Sequence, residues 1–192
     1  MSMDETIELL KKVIRDPNCK EMNKSTVKGY LAELIVMNKL QSEQADVTHI
    51  GNQGGFDILY KKNGKELKIN VKCSEFKDEF RLGCKYWGWA LQHGSGEKDF
   101  SATHYVCVGL DDDFNEGVLV VIPCTATAAF PPGIRQFRNV KHSLIVFKDV
   151  PALDEKKYAD VLEFNKTSEQ LLKKAGVKKL ENLGETLADK LA

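Results

Sequence analysis

Apolar residues recur every three or four positions at the start of the chain, which is the spacing of one face of an α-helix. Ile7, Leu10 and Ile14 follow this spacing within residues 4–15. The Asp-Pro-Asn sequence at residues 16–18 does not continue a helix, because proline lacks the backbone N–H and restricts the residue before it. The pattern therefore predicts a first helix over residues 4–15.

A second and stronger apolar face follows at the same helical spacing. Its members are Val27, Leu31, Leu34, Ile35 and Met37. Serine is favoured at the position before a helix because its hydroxyl accepts a backbone N–H of the first turn. The second helix is therefore predicted to begin at about Ser25, with Ser25 as its N-cap.

Short apolar runs alternate with turn sequences further along the chain, which predicts β-strands. The predicted strands are Val47–Ile50, Phe56–Tyr60, Leu67–Cys73, Thr103–Leu110, Val118–Ile122 and Ser143–Phe147. Asn63-Gly64 separates the second run from the third, and this dipeptide favours a two-residue hairpin turn. An antiparallel hairpin is therefore predicted from Phe56 to Cys73. The glycines of residues 51–55 are expected to supply positive-φ positions before it.

The segment between the third and fourth predicted strands, residues 75–100, is charged at first, then aromatic, then glycine-rich. A helix or an irregular segment is expected there, followed by a loop near residues 93–96. Residues from 154 onward have helical spacing. We therefore expect one domain over residues 1–150 and a C-terminal helical appendage over residues 151–192.

Composition places the chain among ordinary globular proteins, with 42% hydrophobic and 29% charged residues. The formal net charge is zero, which argues against a generally polycationic binder but allows a local basic groove. The five cysteines form no CxxC pair, so free thiols in a reducing compartment are expected instead of a zinc site. No apolar run reaches the roughly 20 residues that cross a bilayer. A cytoplasmic location without membrane contact is expected.

Three ionisable residues stand inside otherwise apolar segments. Glu33 lies on the apolar face of the second predicted helix, Asp57 follows a glycine pair, and Lys72 lies near the end of a strand. The predicted hairpin makes their two strands neighbours, so Asp57 and Lys72 can converge at one end of the sheet. Asn70 and Lys72 are two residues apart and therefore point to the same face of their strand.

These residue types in this arrangement point to phosphodiester hydrolysis. That reaction needs an activated water and a way to stabilise charge on the phosphate. One or two Mg²⁺ ions provide both, and carboxylates bind such hard cations. Asp57 is then the principal ligand, and Glu33 binds the metal directly or through water. Lys72 orients the attacking water or stabilises the developing charge.

With these residues in this order, residues 29–110 resemble the PD-(D/E)XK nuclease superfamily, which includes restriction-endonuclease-like, resolvase-like and homing-endonuclease-like branches. The resemblance implies an α/β fold with a mixed β-sheet flanked by helices, in the order αβββαβ. It puts Glu33 in the place of the helix acid, Asp57 in that of the first motif acid, and Lys72 in that of the motif lysine. The second motif acid falls on Asn70. There the pattern is broken, and the site loses one negative charge.

The resemblance further implies a metal-dependent endonuclease that hydrolyses DNA as a homodimer. It implies Mg²⁺ as the cofactor, with Mn²⁺ as a possible substitute, and no small-molecule cofactor. The implied catalytic residues are Glu33, Asp57, Asn70 and Lys72, and the implied metal ligands are Asp57, Glu33, Asn70 and Val71. Because Asn70 is an amide, an alternative stays open. The chain could instead be a catalytically degenerate module of the same fold that binds nucleic acid or protein without cleaving it.

Ordinary structural explanations exist for each residue taken alone. Glu33 could be a boundary residue of its helix, and Asp57 and Lys72 could face solvent on their strands. His49 stands alone near a strand and is expected to be structural.

A group of basic residues is a candidate surface for contacts with a phosphate backbone. Its members are Arg135, Arg138, Lys141 and His142.

Overall fold

The computed structural model describes residues 1–42, 46–51, 55–79, 84–93, 101–125 and 140–147, together with residues 170, 187 and 191. Two helices precede eight strands in these ranges. The elements are α1 (Met3–Arg15), α2 (Glu21–Ser42), β1 (Asp46–His49), β2 (Ile58–Lys62), β3 (Lys65–Glu75), β4 (Lys77–Glu79), β5 (Cys84–His93), β6 (His104–Leu110), β7 (Glu116–Pro123) and β8 (Val140–Phe147). Neither α1 nor α2 is long and apolar enough to cross a membrane.

Both predicted N-terminal helices are present. Ser2 caps α1 through a reciprocal capping box with Glu5, which satisfies backbone N–H groups of the first turn. Helix α2 begins at Glu21, about one turn before the predicted start, so Ser25 lies inside the helix and is not its N-cap. Glu21 carries a favourable negative charge in the first turn and pairs with Lys24 at 3.3 Å. These two interactions account for the earlier start.

The main sheet has five strands in the order β1-β2-β3-β6-β7. The β3–β6 pair is parallel and the other neighbouring pairs are antiparallel, which confirms the predicted mixed α/β class. The predicted hairpin joins β2 to β3. At its turn Asn63 and Gly64 have φ values of 51° and 77°, the left-handed conformation that a tight hairpin turn needs. Gly51 and Gly55 also have positive φ, as expected.

The segment after β3 differs from the prediction. No helix occurs in its described residues, which instead form β4 and β5, and these join β8 in a second sheet of order β4-β5-β8. The position of the second helix in the predicted αβββαβ order is therefore taken by strands. All four residues from Tyr86 to Trp89 are buried. Consecutive buried residues suit a strand that is covered on both faces better than a half-exposed helix.

Two apolar layers hold the fold together. The first, here called the helix layer, lies between the helices and one face of the main sheet. The second, here called the inter-sheet layer, lies between the main sheet and the second sheet. Leu187 and Leu191, two described residues near the C-terminus, are buried in the helix layer, and Lys65 Nζ donates to Leu191 O at 3.0 Å. Most of residues 151–192 lie outside the described part of the chain, so the predicted domain boundary stays a prediction.

Trp87 and Trp89 anchor the inter-sheet layer through their indole N–H groups. Trp87 Nε1 donates to Leu110 O at 2.9 Å, and Trp89 Nε1 donates to Val108 O at 3.1 Å. Both rings are almost completely buried. The rings are therefore buried while their indole N–H groups keep a hydrogen-bond partner. Both hydrogen bonds run from the second sheet to the main sheet and join the two.

Gly109 of β6 lies directly against the Trp87 ring. A Cβ at this position would lie 2.5 Å from Val118 Cγ1 and 2.8 Å from Trp87 Cγ. We expect Gly109→Ala to lower the free energy of unfolding by about 1–3 kcal/mol, because both neighbours are buried in the inter-sheet layer. Urea-induced unfolding checks this.

Gly29→Ala is the control, since nothing lies within 4 Å of its Cβ position in α2, and it should stabilise the protein by roughly 0.5–1 kcal/mol. Equal urea midpoints for wild type and Gly109→Ala would contradict the packing described.

Candidate active site

Asp57 joins three strands at one end of the main sheet. Its backbone N–H donates to Ile69 O at 2.8 Å, and its Oδ2 accepts the N–H of Val71 at 2.7 Å. Its own carbonyl accepts the N–H of Ile50, just beyond β1, at 2.8 Å. The pairing of β2 with β3 ends at Ile58 and Ile69. Beyond this pair β2 offers no backbone acceptor to the Val71 N–H, and the Asp57 carboxylate takes its place. Asp57 thus contacts β3 on both sides of Asn70.

The Asp57 carboxyl is buried. Asp57 is only 8% exposed and is the one buried acidic residue in the part of the chain that the structure describes. Burial raises its pKa above the ordinary value, and the Val71 N–H opposes that shift. Glu33 raises the pKa of Asp57 further, whereas Lys72 and His49 lower it. The helix acid, the strand lysine and a histidine are therefore all close enough to act on this carboxyl.

Asn70 brings an oxygen without a partner into the same region. Its Nδ2 donates to Gly55 O at 3.3 Å, which fixes the orientation of the amide. Its Oδ1 is buried and accepts no hydrogen bond from any described residue. Buried polar atoms almost always have a hydrogen-bond partner, because burial removes their hydrogen bond to water and an unpaired atom destabilises the fold. An oxygen of this kind beside a buried carboxylate is a suitable ligand for a hard cation.

Lys72 leaves β3 on the face that is turned away from α2. Alternate residues of β3 are buried in the helix layer, namely Leu67, Ile69 and Val71. Lys72 Nζ lies 5.9 Å from the centroid of the Tyr105 ring, within the range of a cation–π contact. Burial raises the pKa of the Cys107 and Cys124 thiols, and Lys72 opposes both shifts. The ammonium group therefore lies between Asp57 and the inter-sheet layer.

Glu33 is paired with His49. Glu33 Oε2 lies 2.5 Å from His49 Nε2, and the two side chains are 20% and 31% exposed. The edge of the Tyr30 ring packs on His49 with 5.6 Å between ring centroids. His49 was expected to be structural, and it is the residue of this site that the sequence analysis missed. The antiparallel β1–β2 pairing could have identified it, because His49 pairs with Ile58, the neighbour of Asp57.

Glu33 and Lys72 act electrostatically on Asp57, and Asn70 lies on β3 between the two residues that Asp57 contacts. The catalytic role of these four residues stays a prediction. The predicted ligand Val71 contributes its N–H to Asp57. In the described ranges no three His, Cys, Asp or Glu side chains are placed to hold a metal ion together. Mg²⁺ does not require such a group, since it keeps several waters and binds through one or two carboxylates. The donor set therefore fits a hydrated Mg²⁺ better than a fully protein-coordinated metal.

The predicted basic surface is only partly described. Arg135 and Arg138 lie outside the described residues, and Lys141 and His142 belong to β8 of the second sheet.

Comparison with known proteins shows only distant structural likeness. No protein-family profile and no curated protein matches this chain. A solved structure of a bacterial homing endonuclease is similar to it, with a TM-score of 0.42 and 14% sequence identity. The likeness covers 76% of this chain and 94% of the endonuclease. A likeness this distant establishes no shared activity, so membership of the PD-(D/E)XK superfamily stays a prediction.

Proposed function

We propose that this protein is a metal-dependent endonuclease that hydrolyses DNA phosphodiester bonds. One observation carries the proposal. Glu33 and Lys72 act electrostatically on the buried Asp57 carboxyl, and the Oδ1 of Asn70, on the strand that Asp57 contacts, is buried without a hydrogen-bond partner among the described residues. The Val71 N–H, Lys72 and His49 offset the burial of the Asp57 charge only in part, since the pKa of Asp57 stays raised. A bound cation is the compensation that this donor set favours.

Each residue has a distinct part in the proposed reaction. Asp57 holds the cation, Asn70 Oδ1 offers a neutral oxygen, and Glu33 binds directly or through a coordinated water. Mg²⁺ held by these residues would act as a Lewis acid and would activate a water for attack. Lys72 stabilises the negative charge that develops on the phosphate when water attacks phosphorus and the bond to the leaving oxygen breaks. The predicted role of Val71 as a further ligand belongs to this same proposal.

A plasmid-nicking assay tests the proposal. Purified protein should convert supercoiled DNA to the nicked form with Mg²⁺ or Mn²⁺, and excess EDTA should stop the reaction. Loss of nicking in Asp57→Asn excludes a contaminating nuclease as its source. Absence of nicking by the wild-type protein with both metals would overturn the proposal.

A second function is favoured by two specific observations. The second motif acid is the amide Asn70, and Glu33 already has a partner in His49. Both reduce the negative charge available to a metal. This favours a catalytically degenerate module that binds nucleic acid or protein without cleavage. DNA binding by the wild-type protein without nicking in Mg²⁺ or Mn²⁺ supports that function.

Asn70→Asp discriminates between the two functions. An enzyme site should gain affinity for Mn²⁺, by about tenfold, because a carboxylate replaces a neutral oxygen next to Asp57. The same change should lower the thermal stability of the metal-free protein, since two carboxylates then lie close together. Isothermal titration calorimetry and thermal unfolding in EDTA measure these effects. A module without a cation site should show the loss of stability and no gain in affinity.

The remaining parts of the proposal concern the setting of the enzyme. We propose a homodimer, because cutting two DNA strands suits a two-fold assembly. We also propose that the protein acts in the cytoplasm and uses no small-molecule cofactor. Cys19, Cys73, Cys107 and Cys124 are free thiols, which supports a reducing compartment.

A further inference from the structure

We propose that His49 is a positioning residue for the cation site, where it holds the Glu33 carboxylate through Oε2 and leaves Oε1 for the cation or its water. The inference rests on the proposed function, since it gives a task to a residue of that same site. It also explains why a histidine stands beside two acids and a lysine.

The contact between Glu33 and His49 joins two separate elements of the fold. Glu33 belongs to α2, and His49 is the last residue of β1. Their side-chain atoms lie at the short end of hydrogen-bond distances. Glutamate has three rotatable side-chain bonds, so without a partner its carboxylate would sample several rotamers. A histidine on a paired strand removes that freedom.

The position of His49 also links Glu33 to Asp57. His49 pairs with Ile58, and the N–H of the next residue, Ile50, donates to Asp57 O. The two acids are therefore tied to each other through the end of β1. Tyr30 packs its ring edge against the imidazole from one turn earlier in α2 and limits rotation of the ring. Glu33, His49 and Asp57 are therefore linked through one side-chain contact and the pairing of β1 with β2.

Charge supports the same role. Glu33 acts on Asp57 as a like charge, and His49 acts on it in the opposite direction. A hydrogen-bond donor at Glu33 Oε2 offsets the repulsion between the two carboxylates and so allows Glu33 to stay near Asp57. Partners that orient metal ligands in this way typically matter by about 10–100-fold in metal affinity or activity.

Calorimetric titration of the full chain with Mn²⁺ tests the inference. His49→Leu removes the donor and should weaken Mn²⁺ binding about tenfold or more. His49→Gln keeps an amide Nε2 that can donate to Glu33, so its affinity should stay within about threefold of wild type. His104→Leu is the matched control, because His104 is a histidine of another strand, β6, where its Nδ1 contacts the Thr103 hydroxyl at 3.1 Å. It should leave Mn²⁺ binding unchanged.

Thermal unfolding in EDTA separates folding from positioning. If His49→Leu does not fold, His49→Asn replaces it, since its amide is one methylene too short to reach Glu33. Equal Mn²⁺ affinities for His49→Gln and for the Leu or Asn variant would overturn the inference, because the donor would then not matter.

Plasmid nicking measured in parallel distinguishes this inference from the proposed function. Mn²⁺ binding that depends on His49, without nicking by the wild type, overturns only the nuclease. Nicking and Mn²⁺ binding that survive in His49→Leu overturn only the role of His49. Absence of Mn²⁺ binding by the wild type overturns both.

Discussion

Replacing Asp57 by asparagine should abolish metal-dependent nicking, with a loss of about a thousandfold or more. A bound metal ion supplies several kcal/mol of transition-state stabilisation, and each ~1.4 kcal/mol changes the rate tenfold. Asparagine has nearly the same shape and can still accept the Val71 N–H. The loss would therefore come from the missing charge and not from a broken fold. Initial nicking rates of wild type and Asp57→Asn at saturating Mg²⁺ measure it, and a variant with more than a tenth of wild-type activity contradicts the role of Asp57.

The same substitution should raise the thermal stability of the metal-free protein at neutral pH. In the folded protein, burial holds the pKa of Asp57 above its ordinary value of 3.8. The contribution of this group to stability is therefore fully present below pH 3.8 and is lost as pH rises through the folded pKa. At neutral pH the buried charge destabilises the fold, and asparagine removes it.

Thermal unfolding in EDTA at several pH values checks this consequence. The stability advantage of Asp57→Asn should be largest near pH 7 and should shrink towards pH 4, where Asp57 regains its proton. Saturating Mg²⁺ should stabilise wild type and not the variant. A variant that is less stable than wild type at pH 7 in EDTA would show that Asp57 is structural.

The second large effect is expected for Lys72→Met. Loss of a group that stabilises charge in the transition state typically lowers the rate by about 10²–10³-fold. Mn²⁺ affinity should change little, because a cation next to the site is not a ligand. Lys68→Met is the matched control on the same strand, where Lys68 Nζ lies 5.6 Å from the Phe56 ring centroid. Both lysines contact an aromatic ring, so packing losses should be similar.

Steady-state nicking rates and calorimetry on the two lysine variants separate the possible results. A selective loss in Lys72→Met with intact Mn²⁺ binding supports the role in stabilising charge. Equal losses in Lys68→Met and Lys72→Met would mean that the effect is one of packing or general electrostatics.

Local chemistry explains what could be predicted from the sequence. The β2–β3 hairpin follows from Asn63-Gly64, because few residues adopt its left-handed turn. That hairpin alone brings Asp57 near Asn70 and Lys72, so these members of the site could be identified without a structure. The acid of α2 required one further assumption, that the helix packs on the hairpin.

The features that sequence did not reveal depend on long-range contacts. In the parallel β3–β6 pair Lys72 lies opposite Cys107, and no local sequence signal predicts a partner strand so far along the chain. The segment around Trp87 was expected to be helical or irregular because it is charged at first, then aromatic, then glycine-rich. It forms a strand because both of its faces are covered. His49 likewise takes its role from Glu33, a residue on another element.

The position of the two tryptophans has a spectroscopic consequence. Trp87 and Trp89 are the only two in the chain, and both lie in the inter-sheet layer. Intrinsic fluorescence of this protein therefore reports on the separation of the two sheets. Far-ultraviolet circular dichroism reports mainly on helices, and α1 and α2 lie on the opposite face of the main sheet. The two signals together distinguish loosening of one face from loosening of the other, without any introduced label.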